Sequence, residues 1–93
     1  MLIKNAENTS DDKASEGNIN RWREFTSLDG KECSVKDCPH KSDPIFGAHV
    51  EKMWGKENKE KEFIIPMCRT HNNQFGETLD IYDNTRFMPA SEL

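Results

Sequence analysis

The chain lacks an even set of cysteines: it carries three in 93 residues. Three thiols cannot all pair within one molecule, so a secreted disulfide framework would leave one over. It also lacks long apolar runs. No stretch approaches the roughly 20 apolar residues that cross a bilayer. Residues 1–17 turn polar and acidic after Met1, Leu2 and Ile3, unlike the apolar middle of a secretory leader. Nor is there an excess of basic charge, since 13 Lys and Arg against 17 Asp and Glu give a net charge of −4. Nucleic-acid-binding domains are usually basic because phosphate neutralisation supplies much of their affinity. The overall balance argues against that class and leaves only a local basic patch open. These absences lead to the expectation of a cytoplasmic protein without a membrane segment, where thiols stay reduced and cysteine clusters mark metal.

What is present is a thin core. Only 33% of the residues are hydrophobic and 32% are charged. A domain this small barely offsets chain entropy by burial, and such scaffolds usually need a disulfide, a metal or a partner subunit. No internal repeat or low-complexity block is visible. The polar stretch 1–17 predicts a flexible tail, which leaves 18–93 as a single domain. From Asn18, Ile19, Trp22 and Phe25 recur every third residue, which predicts a short helix with Asn18 as N-cap. Asp29-Gly30 predicts a turn. Ile45–Val50 reads as a strand with Phe46, Ala48 and Val50 on one face and Ile45, Gly47 and His49 on the other. A charged connection around Trp54 leads to a second strand, Glu62–Met67, in which Pro66 marks an end or an edge. Cys68–Phe75 reads as a short helix capped by Gly76. Leu79–Ile81 and Arg86–Met88 flank an Asp83-Asn84 turn as a further strand or small hairpin.

The spacing of the cysteines carries the most chemistry. Cys33-x4-Cys38 is followed 30 positions later by Cys68-x2-His71. Zinc takes four thiolate or imidazole ligands in a tetrahedron. A short knuckle brings Cys33 and Cys38 together, and Cys68 and His71 stand one helical turn apart on one face. The two strands between them fold back to join the pairs. Four protein ligands close the shell, so the expectation is one structural zinc held by Cys33, Cys38, Cys68 and His71. His40 and His49 are the competing histidines, the first beside Cys38 and the second in place of His71.

The knuckle, the Gly-Ala-His-Val strand and the run Phe63-Ile-Ile-Pro-Met-Cys-Arg-Thr-His-Asn72 resemble the treble-clef zinc folds of the HNH-like, ββα-metal group, over about residues 33–75. The resemblance implies a small α+β treble-clef domain with a cysteine knuckle, a β-hairpin and a zinc-bearing helix, preceded by a short N-terminal helix. In nucleases of that group a strand histidine is the general base, and the resemblance puts His49 there. The metal-binding acid before it is replaced by Ala48, and the helix histidine by Asn72. Alanine cannot ligate a divalent ion and an asparagine carbonyl is a weak ligand, whereas phosphodiester hydrolysis needs charge stabilisation as well as a base. Glu51, on the same strand face as His49, is the remaining acid that could orient the imidazole or bind an ion. The expected function is therefore a zinc-stabilised, non-enzymatic binding module with a macromolecular partner, protein ahead of nucleic acid. The alternative is a divergent HNH-type metal-dependent endonuclease using His49 and Glu51. Trp54 and the Lys52–Lys61 loop are the surface considered for either partner.

Overall fold

A computed structural model describes residues 1–6, 12–53 and 62–93. The charged connection from Trp54 onward lies outside the described residues. The elements run β1 (Leu2–Asn5), α1 (Asp12–Thr26), β2 (Ile45–Lys52), β3 (Phe63–Cys68), α2 (Arg69–Asn72), β4 (Thr78–Asp80) and β5 (Met88–Pro89), with a closing 3-10 turn at Ala90–Glu92. The strands form one sheet in the order β4-β1-β2-β3-β5, and every neighbouring pair is antiparallel. The class is thus small α+β, as expected. No helix among the described residues is long and apolar enough to cross a membrane.

Two expectations about the start of the chain are corrected. Residues 2–5 are not tail but a strand inserted between β2 and β4, with Ile3 opposite Lys52 and Leu79. The reason is a short alternation within a polar stretch: Ile3 and Asn5 are buried while Leu2 and Lys4 are exposed. Four residues are too few for period-2 patterning to stand out from composition. The helix is consequently not the first element, and it begins at Asp12 rather than Asn18. Asn18 lies inside α1 instead of capping it, and its Nδ2 donates to the carbonyl of Gly47 at 3.4 Å. Of the threefold-spaced apolar residues, Ile19 and Trp22 are buried and Phe25 is 51% exposed. A spacing of three falls about 60° short of a full turn, so the stripe drifts off the buried face by its third member.

The β2–β3 hairpin follows the predicted strands closely, and its pleat divides the core in two. On one face Ala48, Val50, Phe63, Ile65 and Met67 pack with Ile3, and Val35 and Ile81 cover them. On the other face Ile64 packs with Ile19 and Trp22 of α1 and with Met88. A strand covered on both faces is apolar throughout rather than alternating, which accounts for the unbroken burial of Phe63–Cys68. Pro66 fits because its carbonyl points away from β2, accepting from the Ser34 N–H at 3.0 Å. Its ring nitrogen lies on the same edge, so no β2–β3 bond is lost. The last two strands do not form a hairpin. β4 pairs with β1 and β5 with β3, at opposite edges of the sheet.

Candidate metal centre

The knuckle is held in place by backbone bonds on both sides. Besides the Ser34 bond to Pro66, Lys36 N–H donates to Asp80 O and Tyr82 N–H to Ser34 O, each at 3.0 Å, and Val35 bridges to Ile81. Asp37 takes a left-handed backbone, φ 54°, which closes the loop so that Cys38 returns toward Cys33. The second pair comes from the end of β3. Cys68 is the N-cap of α2, and its Sγ accepts the His71 N–H at 3.4 Å. A thiolate there faces the unpaired N–H groups of a helix start, where negative charge is favoured.

The four donor atoms of Cys33, Cys38, Cys68 and His71 all lie within 4.8 Å of one another. Tetrahedral zinc, with bonds of about 2.3 Å to sulfur and about 2.0 Å to nitrogen, sets sulfurs about 3.8 Å apart and sulfur and nitrogen about 3.6 Å apart. The Cys38 and Cys68 sulfurs are 3.7 Å apart, and His71 Nδ1 lies 3.6 Å from Cys33 Sγ and 3.2 Å from Cys68 Sγ. The spacing and the donor chemistry both suit one such ion, and the group could hold one metal. Cys68 is fully buried, Cys38 and His71 nearly so, and Cys33 is half-buried. Burial pushes the Cys68 thiol up to about 12 and raises that of Cys33, against the lowering effect of backbone N–H groups. Burial, then the neighbouring His40, lowers the pKa of His71. Without a cation, thiols so placed stay protonated and the imidazole stays neutral. A bound divalent ion would displace the thiol protons and compensate the charge.

Two residues that sequence reasoning missed hold α2, which is a single turn. At its start the Asp43 carboxylate accepts from Thr70 N–H at 2.9 Å and Thr70 Oγ1–H at 2.6 Å, bonds that lower its own pKa. At its end Asn5 Nδ2 donates toward the carbonyls of His71, Asn72 and Gln74. The Asp43-Pro44 step reads only as a loop signal. Asn5 is 66 positions from His71 and no local pattern joins them.

Neither competing histidine belongs to the group of four. His40 packs its ring edge-on against His71 at 5.1 Å and is not among the four converging donors. His49 sits opposite Ile64, on the side of the sheet that α1 covers. α2 lies against the other side, where Asn5 pairs with Val50 and the Arg69 guanidinium stands over the Phe46 ring at 5.5 Å. His49 is half-buried with a lowered pKa, burial outweighing the nearby Glu62. Its Nδ1 is buried with no hydrogen-bond partner among the described residues, and Glu51 is exposed. Ala48 is fully buried in the core and Asn72 is buried on α2. Comparison with family models, curated proteins and solved structures finds no match to this chain.

Proposed function

We propose that Cys33, Cys38, Cys68 and His71 bind one structural zinc ion, and that the chain is a non-enzymatic, zinc-stabilised module of treble-clef type that recognises a macromolecular partner. The carrying observation is the convergence of four soft and borderline donors, from a knuckle and from the end of β3, to within 4.8 Å. The order knuckle, hairpin, one-turn helix supports the treble-clef reading, with β1 and α1 added before it. A shell filled by four protein ligands leaves no position for water or substrate, which makes the ion structural. A protein partner is favoured over nucleic acid by the net charge of −4. At the positions the HNH-like resemblance gives to catalytic ligands stand a core alanine, Ala48, and an amide, Asn72, which supports a non-enzymatic role.

Protein purified without added metal is expected to contain one zinc per chain and to lose its cooperative unfolding transition on chelation. Equal melting with and without chelator would refute the structural ion. Plasmid nicking with magnesium or manganese that disappears in His49→Ala would replace the binding module with a nuclease. Salt-dependent retention on DNA would transfer the partner from protein to nucleic acid.

A further inference from the structure

We propose that Asn5 is a positioning residue for the metal centre, so that docking of β1 and binding of the ion are coupled. The inference rests on the metal reading above and adds a role for the amino-terminal strand. α2 comprises Arg69–Asn72. A helix that short does not hold itself, and its last carbonyls have no partners within it. Asn5 supplies them. Its Nδ2 lies 3.0 Å from each of the carbonyl oxygens of His71, Asn72 and Gln74. Its backbone closes the same turn, Asn5 N–H donating to Glu77 O at 2.9 Å and Gly76 N–H to Asn5 O at 2.8 Å. The whole residue is 0% exposed.

His71 is thereby held at both ends of its own residue. Its N–H is tied to Cys68 Sγ, its carbonyl to Asn5, and its imidazole Nδ1 faces the thiols. Removing the Asn5 amide leaves the carbonyl end of a single turn on its local backbone bonds alone, Gln74 N–H to His71 O at 3.1 Å and Asn73 N–H to Arg69 O at 3.0 Å, and loosens the approach of the imidazole to the sulfurs. Partners that orient a ligand in this way typically change metal affinity by roughly ten- to hundredfold when removed. The coupling is reciprocal: an ion that fixes His71 also fixes the carbonyls on which Asn5, and with it β1, is docked.

The test is competition between the full chain and a chromophoric chelator for zinc, with cobalt absorption as the second readout. It compares wild type, Asn5→Ala, Asn5→Asp and Ile19→Ala. Ile19, on α1, packs against the opposite face of the sheet, so Ile19→Ala measures what lost stability alone does to affinity. Both Asn5 variants are expected to bind zinc roughly ten- to hundredfold more weakly and to shift the cobalt bands, whereas Ile19→Ala keeps wild-type bands. Wild-type bands in Asn5→Ala, with an affinity loss no larger than that of Ile19→Ala, would overturn the proposal. If Asn5→Ala does not fold, Asn5→Ser, which keeps one short donor, is read against the same control. Wild type that binds no ion would instead sink the metal reading itself.

Discussion

A β-carbon on Gly47 of β2 would stand 2.5 Å from the backbone nitrogen of Ile19 on α1, and 2.6 Å from the carbonyl carbon of Asn18. The helix crosses the sheet with backbone against backbone at this point, and the Asn18 amide reaches the Gly47 carbonyl there. Nothing flexible is available to give way. Gly47→Ala is expected to lift α1 and to destabilise the domain by about 1–3 kcal/mol, the usual cost of overpacking. Denaturant unfolding measures it, and an unchanged midpoint would show that α1 does not sit on β2 in this way.

Trp22 and Phe25 share a spacing pattern but not an environment. Trp22 is 4% exposed and its Nε1–H donates to the Arg86 carbonyl at 2.8 Å. Trp22→Ala should cost about 3–5 kcal/mol, enough to unfold a marginal domain. Phe25→Ala should stay within about 0.5 kcal/mol, as surface changes do. Thermal melts of the pair distinguish the drifting stripe from a helix that buries both rings.

Metal binding should release protons. Burial keeps the Cys33 and Cys68 thiols protonated at neutral pH, so adding zinc in weak buffer should liberate at least those two protons. Metal affinity then falls as pH falls. The metal-free fold behaves in the opposite sense: a raised thiol pKa contributes stability below its ordinary value of 9.0, lost as pH climbs toward about 12. A pH series of melts with and without zinc checks both slopes.

Burial holds His49 below its ordinary value of 6.5. A depressed histidine contributes stability that is present above the ordinary value and lost as pH falls through the folded one. NMR titration of the His49 ring should give a midpoint under 6.5, and a midpoint above it would mean that the imidazole has an acidic partner.

Cys33 is the half-buried member of the four candidate donors and borders an open cleft of about 450 Å³ lined by Trp22, Leu28 and Tyr82 among others. With zinc bound, a maleimide should therefore modify Cys33 before Cys38 or Cys68. Peptide mapping after brief exposure reads the order, and first labelling at Cys68 would contradict the burial of its sulfur.

Much of the centre is legible along the chain because its parts are local. The Cys33–Cys38 loop and the Cys68–His71 turn are each short enough for spacing to carry geometry. The alternation of Phe46, Ala48 and Val50 against Gly47 and His49 likewise separates the two faces of β2. Patterning fails at Leu2–Asn5, where four residues in a polar stretch carry too little signal, and at Asn18, where a capping residue type is used inside a helix. For Leu79–Ile81 and Arg86–Met88, readable from the sequence as a further strand or a small hairpin, near spacing does not decide the pairing. β1 pairs with β4 while β3 pairs with β5, which separates the two across the sheet.

By itself, then, the sequence determined the four candidate donors and the hairpin, because ligand chemistry and strand alternation are properties of residue type and near spacing. Only the tertiary structure decided that β1 completes the sheet, that His49 lies under α1 rather than beside α2, and that Asn5 holds His71 from the far end of the chain. Those are long-range facts. They depend on which distant side chain, once the sheet has closed, stands close enough to bond the carbonyls at the end of a one-turn helix.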